Sequence, residues 1–189
     1  MEETNLQNLV TAVDEKRLLA TATALVDVPS PTCDATAVAA RLAEILTSDG
    51  FEVERPDAGW PTAPAVVTRL HGSRVGRTLQ FDGHLDTVHL PFVPASVVDG
   101  HLLGLGAADM KGGIAACVEA MRALRDADAL QGGSVLLTTH DHHEAPWGDG
   151  RQVHGLIEGG FTGDAVLLPE YLAHPLPLAG RGMAVFEVT

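Results

Sequence analysis

Three stretches of this 189-residue chain gather side chains that can hold a cation or move a proton. The first is Asp82-Gly83-His84-Leu85-Asp86-Thr87-Val88, which follows a short apolar run. In extended backbone, residues two apart point to one face. His84 and Asp86 can therefore act as a unit, one imidazole nitrogen facing a metal while the carboxylate accepts a hydrogen bond from the other. The second is Gly104-Leu105-Gly106-Ala107-Ala108-Asp109-Met110-Lys111-Gly112-Gly113, which leads into a helical pattern. Its glycines imply a backbone packed closely around Asp109, at a helix N-terminus that favours an ionised carboxylate, and two carboxylate oxygens can bridge two cations. The run has the look of a dinucleotide fingerprint, but Asp109 stands where the third glycine is required and would face a pyrophosphate, so nucleotide binding is disfavoured.

The third stretch is His140-Asp141-His142-His143-Glu144-Ala145-Pro146-Trp147-Gly148-Asp149-Gly150, again directly after an apolar run. It places three of the nine histidines beside three acids, a density suited to metal ligation at a strand end. It is not the helical zinc motif His-Glu-x-x-His, because Trp147 occupies the second histidine position and Pro146 with the glycines demands a loop. Glu170, after the run at 164–169, is a fourth candidate. Singly, each has an ordinary structural explanation: a paired loop histidine, a helix N-cap, a solvated loop, a lone glutamate. Together they set ligand-type residues at the ends of successive strands, an inner sphere suited to a pair of Zn²⁺ or similar ions that would activate water and polarise a carbonyl.

The elements that must position these residues follow from periodicity. Asp14 can cap a helix with Leu18, Leu19, Ala22, Leu25 and Val26 on one face, ended by Val28-Pro29-Ser30-Pro31. Asp34 offers a second N-cap before Val38, Leu42, Ile45 and Leu46, and Gly50 suits the helix end. Strands are expected over 51–54, 65–70 and 78–81, a helix over 111–127, and a short helix over 152–157. The runs at 134–139 and 165–168 read as strands buried on both faces, and 181–189 as a terminal strand whose exposed edge would favour association. This alternation predicts an α/β fold, a mostly parallel mixed sheet sandwiched by helices, with chemistry at the carboxyl ends of the strands.

Composition narrows the partners. Twelve Lys plus Arg against 25 Asp plus Glu give a net charge of −13, and aromatic residues are only 4%, so the cationic footprint and stacking platform of a nucleic-acid binder are both missing. No apolar run reaches the roughly 18–20 residues of a membrane span, and Met-Glu-Glu-Thr-Asn is unlike a signal peptide. With Cys33 and Cys117 far apart and outside any Cys-x-x-Cys, the expectation is a cytoplasmic protein with reduced thiols and neither a nucleic-acid nor a membrane partner.

The motifs resemble those of the M20 family of metallopeptidases and amidohydrolases. The resemblance begins at Leu25-Val26-Asp27-Val28-Pro29-Ser30-Pro31-Thr32 and is most specific at Gly83-His84-Leu85-Asp86-Thr87-Val88 and Gly106-Ala107-Ala108-Asp109-Met110-Lys111-Gly112-Gly113. It implies a zinc-exopeptidase-like catalytic domain in which His84 binds one metal, Asp86 orients it, Asp109 bridges both metals and Glu170 binds the first. It also implies a cis peptide bond after Asp109. The family's adjacent acids, a general base followed by a ligand of the second metal, are matched here by His143-Glu144. In one register Glu144 is the ligand and His143 replaces the base; shifted by one residue, Glu144 becomes the base and the second metal lacks a ligand. Members of the family continue into a lid and dimerisation domain and return with a late histidine. Residues 1–189 thus correspond to the N-terminal part of the catalytic domain, incomplete at the C-terminus, and any homodimer contact would lie in the lid.

The implied activity is cleavage of an amide bond in an N-acyl amino acid or small peptide by metal-activated water, with two Zn²⁺ per full site and Co²⁺ or Mn²⁺ also suited. The rival expectation is a truncated, non-catalytic metal-binding domain.

Overall fold

A computed structural model of the chain describes residues 3–170. The terminal strand expected over 181–189 lies outside the described residues. The elements run α1 (Glu3–Thr11), α2 (Glu15–Val26), α3 (Thr36–Ser48), β1 (Val53–Glu54), β2 (Val66–His71), β3 (Thr78–His84), β4 (Ser96–Val98), β5 (His101–Leu103), α4 (Gly112–Asp126), β6 (Ser134–His140), α5 (Arg151–Glu158) and β7 (Ala165–Leu167).

Asp14 caps α2, accepting the amides of Lys16 and Arg17 at 2.9 and 3.1 Å. The expected cap of α3 by Asp34 is not formed. Ala35 takes the cap position without a side-chain bond, and the distant Asp141 accepts the amides of Cys33 and Ala35 at 2.9 and 3.2 Å. A carboxylate from the residue that follows β6 thus fixes the chain just before α3. Gly50 ends α3 with φ 81°, as its sequence position suggests.

The main sheet has the order β1-β2-β6-β3-β7 and is mixed. β1 and β2, and β2 and β6, pair antiparallel, whereas β3 runs parallel to both β6 and β7. Alternation along the strands separates two faces. Val66, Phe81, Val135 and Leu137 pack with Leu25, Leu42, Leu46, Ile114 and Met121 from α2, α3 and α4. Val67 and Leu136 pack instead with Leu156 of α5. Helices thus cover both faces, and each fully buried leucine contributes about 1.5–3 kcal/mol of transfer free energy.

One sequence expectation for the strands is corrected, and one hairpin is added. β6 is buried throughout, but β7 is an edge strand with Val166 and Leu167 about half exposed, because nothing among the described residues pairs with its outer side. The β4–β5 hairpin was not anticipated. Its Asp99-Gly100 turn has φ of 50° and 77°, the left-handed pair that two-residue hairpins require, but its strands are too short and exposed to show an alternation. Among the described residues, no helix is long and apolar enough to cross a membrane.

Candidate metal centre

β3 extends three residues beyond the run expected from the sequence, so His84 is its last residue and lies opposite His140 at the end of the parallel neighbour β6. Gly83, one residue earlier in β3, points to the opposite face and toward α4. A Cβ there would lie 3.0 Å from Met110 Cε and 3.1 Å from Ile114 Cγ1, so the missing side chain lets Met110 dock against the strand. Met110 Sδ accepts the His84 amide at 3.1 Å, and the residue before it, Asp109, is brought beside the imidazole. The Asp109-Met110 peptide is cis, as the resemblance implies.

The His84 ring is 1% exposed and anchored at both nitrogens. Nδ1 lies 2.9 Å from the Asp86 carbonyl oxygen and 3.6 Å from its carboxylate Oδ1, and Nε2 lies 3.0 Å from Asp109 Oδ1. Burial works against a charge on this imidazole, but the bonds to Asp86 outweigh it and raise the pKa. Asp86, fully buried, is opposed in the same way by burial, and its hydrogen bonds hold its pKa down. Its Oδ2 accepts the amides of His143 and Glu144 at 3.1 and 2.9 Å, which ties the loop after β6 to the end of β3.

The result is two overlapping groups of donor atoms. Those of His84, Asp109 and Glu144 lie within 4.8 Å of one another, and so do those of His84, His143 and Glu170. All five of these residues, together with Asp86, are brought to one end of the sheet, beyond the carboxyl ends of its parallel strands. His143 stacks on His84 with ring centroids 4.1 Å apart and an interplanar angle of 11°. Burial first, and then Asp109, raise the pKa of Glu144, while partial desolvation followed by His84 and His140 lowers that of His143. Asp109 is 39% exposed at its side chain, so the cluster opens to solvent. Crowded carboxylates beside an imidazole with one oriented nitrogen form a donor set that fits a divalent cation, whose charge would relieve the repulsion acting on Glu144.

The remaining titratable groups of the loop go elsewhere. His140 faces Asp82, Nε2 to Oδ2 at 3.5 Å, beneath the cluster. His142 adopts φ 65° and turns its ring edge-on to Trp60, with Nδ1 buried and unpartnered. Asp141 holds the start of α3, and Asp149 pairs with Arg151 at the surface.

Sequence reading passed over Gln80 and Asp82. With His84 they form a polar i, i+2, i+4 series on one face of β3, joined through Thr138, which accepts from Gln80 Nε2 at 2.8 Å and donates to Asp82 at 2.5 Å. That period of two in an otherwise apolar run was the available signal. Lys111 was passed over as well. It is 1% exposed, donates from Nζ to the Val28 carbonyl at 2.8 Å, and is pushed down to about 8 by burial against the opposing pull of Asp86.

Comparison with known proteins agrees with this architecture. The model of peptidase family M20/M25/M40 matches residues 80–169, which hold every donor of the cluster but Glu170. A succinyl-diaminopimelate desuccinylase of Methylorubrum populi is 38% identical over 141 residues, 68% of this chain and 36% of the relative. The chain therefore spans about a third of the length of that relative. Among solved structures, a tripeptidase from Staphylococcus aureus aligns with TM-score 0.69 and 23% identity over 86% of this chain and 45% of its own. An M20 family metallo-carboxypeptidase from Sulfolobus solfataricus aligns with TM-score 0.67 and 21% identity over 82% and 37%. These two likenesses show the shared fold, and the family match together with the desuccinylase similarity makes the chain a member of the M20/M25/M40 peptidase family.

Proposed function

We propose that the protein is a metal-dependent hydrolase that cleaves the amide bond of an N-acyl amino acid or small peptide. The observation that carries this reading is the convergence of His84, Asp109 and Glu144 donor atoms within 4.8 Å at the strand ends, with Glu170 and His143 adjoining. His84, Asp109, Glu144 and Glu170 are the residues we propose to hold the cations, two Zn²⁺ per full site, with Co²⁺ or Mn²⁺ also suited. Such ions, when bound, would acidify water and polarise the scissile carbonyl. The chain's own contribution is orientation and proton handling. Asp86 fixes the His84 tautomer through Nδ1, leaving Nε2 for a cation. Proton acceptance falls to the adjacent pair at the loop tip: to His143 where Glu144 holds a cation, or to Glu144 where it does not. Free Cys33 and Cys117 support a reducing, cytoplasmic setting.

The desuccinylase relative makes N-succinyl amino acids the first substrates to try, followed by N-acetyl amino acids and dipeptides. The test is release of free amine from this panel by protein stripped with chelator and reloaded with Zn²⁺, Co²⁺ or Mn²⁺. Turnover that requires added metal and is lost in Asp109→Asn supports the reading. Stoichiometric metal uptake with no turnover on any substrate would replace it with a non-catalytic metal-binding domain, the reading that the His143-Glu144 pair favours in place of two acids.

A further inference from the structure

We infer that Trp147 is a specificity-determining residue, whose open indole face takes an apolar group flanking the amide bond to be cleaved. This rests on the metal-dependent reading above and names a substrate class for it. Trp147 stands three residues beyond Glu144, on a turn closed by the Gly148 amide, which donates to the Glu144 carbonyl at 2.7 Å. A Cβ on Gly148 would overlap the His143 carbonyl, so the turn is packed backbone to backbone. His89, five residues beyond His84, meets the indole from the other loop. Its ring stacks on Trp147 with centroids 3.9 Å apart and planes 20° apart, and its Nε2 lies 3.1 Å from the Thr32 carbonyl oxygen. Thr32 Oγ1 in turn donates to the Glu144 carbonyl at 3.4 Å. The indole is thus held beside the donor cluster by the same two loops that carry His84 and Glu144.

His89 covers one face of Trp147, yet the side chain is still 53% exposed, so the opposite face is bare. Leu90, Phe92 and Val93, which follow His89 in the chain, are exposed as well. Exposed apolar side chains gathered on the loops of a polar site mark a binding surface, and an aromatic ring offers it the largest area for the fewest rotamers. The cations that flank the donors in the chain do not offer the alternative of holding a carboxylate. Lys111, on the glycine-rich turn, is buried and spends Nζ on the Val28 carbonyl, and Arg151, at the start of α5, pairs with Asp149 at 2.6 Å. Asp109, Glu144 and Glu170 add only negative charge of their own. With the scissile carbonyl at the donor cluster, Trp147 discriminates by the group beside it: an apolar substituent gains contact with the indole that a succinyl carboxylate does not.

The test is calorimetric binding of hydroxamates, which chelate a metal ion through the atoms that stand for the amide, to the full 189-residue chain loaded with Zn²⁺. Acetohydroxamate is the reference. Phenylacetohydroxamate adds a ring on the acyl side, N-benzylacetohydroxamate adds it on the amine side, and succinate monohydroxamate adds a carboxylate. Wild type is expected to bind at least one ring-bearing probe about 10-fold or more tighter than acetohydroxamate, which also assigns the side of the bond, and to bind succinate monohydroxamate no tighter than the reference. Trp147→Ala should bring the ring preference close to unity, and Trp147→Phe, which keeps an aromatic face, should retain several-fold of it. A ratio against acetohydroxamate within each protein separates loss of the indole from loss of fold or metal. The favoured probe should also shift the wild-type tryptophan fluorescence and leave that of Trp147→Phe, which reports Trp60 alone, unchanged. An undiminished ring preference in Trp147→Ala, no ring preference in wild type, or tightest binding of succinate monohydroxamate would overturn the inference while leaving the metal-dependent reading intact. No binding of any hydroxamate to Zn²⁺-loaded wild type would overturn both.

Discussion

The Glu144 amide donates to Asp86 Oδ2 at 2.9 Å, so the loop after β6 hangs on a carboxylate at the end of β3. Through Oδ1 the same residue faces His84 Nδ1 at 3.6 Å. The Asp86 carbonyl, 2.9 Å from Nδ1, sets the tautomer of a proposed ligand, and the buried carboxylate adds its charge there and sets the position of the neighbouring loop. Asp86→Ala is expected to weaken divalent cation binding by about 10–100-fold, the usual cost of losing an outer-sphere partner, with Asp86→Asn less affected because one acceptor oxygen remains. Chelator competition with Zn²⁺ measures this. Equal affinity in all three proteins would remove Asp86 from the site.

Metal removal should be visible as lost stability. A ligand bound only by the folded state at 100 times its dissociation constant adds about 2.7 kcal/mol, or roughly 5–10 °C in Tm for a domain of this size. Calorimetry of stripped and Zn²⁺-loaded protein should show that shift, and Asp109→Asn should lose most of it. An unchanged wild-type Tm on loading would count against the donor cluster as a metal centre.

How much of this was written in the sequence differs from residue to residue. His84 and Asp86 were legible because two-residue spacing on extended backbone has one geometric outcome, and Asp109 because glycines and a helix start frame it. The α2, α3 and α4 helices follow from apolar spacing, and β6 from its unbroken apolar run. The sorting of His140, His142 and His143 was not legible. Three histidines within four positions look alike, and only the parity of β6, the left-handed φ of His142 and the hold of Asp86 on the loop send one toward Asp82, one against Trp60 and one to the cluster. The cap of α3 was misread for a related reason. Asp34 is adjacent in sequence, but it is Asp141, more than a hundred residues on, that holds the entry to α3, and sequence-local capping rules cannot see so distant a partner. β7 was misread because an apolar strand at an edge and one at a centre have the same composition.

Gly113 carries a sharp prediction. A Cβ at this position would overlap the Pro169 carbonyl oxygen, so the glycine in the first turn of α4 is what lets the chain leaving β7 pass close enough to bring Glu170 to the cluster. Alanine normally favours a helix over glycine by about 1 kcal/mol. Here the obstacle is backbone, which no rotamer change relieves, and Gly113→Ala should destabilise by roughly 1–3 kcal/mol, the range for overpacking. It should also weaken the same metal step as Glu170→Gln. Urea unfolding together with Co²⁺ titration checks both effects, and a stabilised variant with unchanged uptake would contradict the close approach.

Glu119 of α4, 1% exposed, accepts from Arg17 at 2.8 and 2.9 Å, from Arg122 at 3.3 Å and from the Asp14 amide at 2.9 Å. Burial alone would raise its pKa, but the Arg17 and Asp14 hydrogen bonds outweigh it and hold the carboxyl below its ordinary value. A carboxyl whose pKa is lower folded than unfolded contributes stability that is complete above the unfolded value, about 4.3, and is lost as pH falls through the folded one. Glu119→Gln should therefore cost about 1.5–3 kcal/mol at neutral pH, since it removes the charge that Arg17 pairs with while Arg122 keeps Asp49 and Thr21, and should flatten the loss of stability below about pH 4.3. Urea unfolding from pH 2 to 7 gives both curves. If wild type and variant lose stability in parallel across the acid range, Glu119 is not the group that anchors α2 to α4 by its charge.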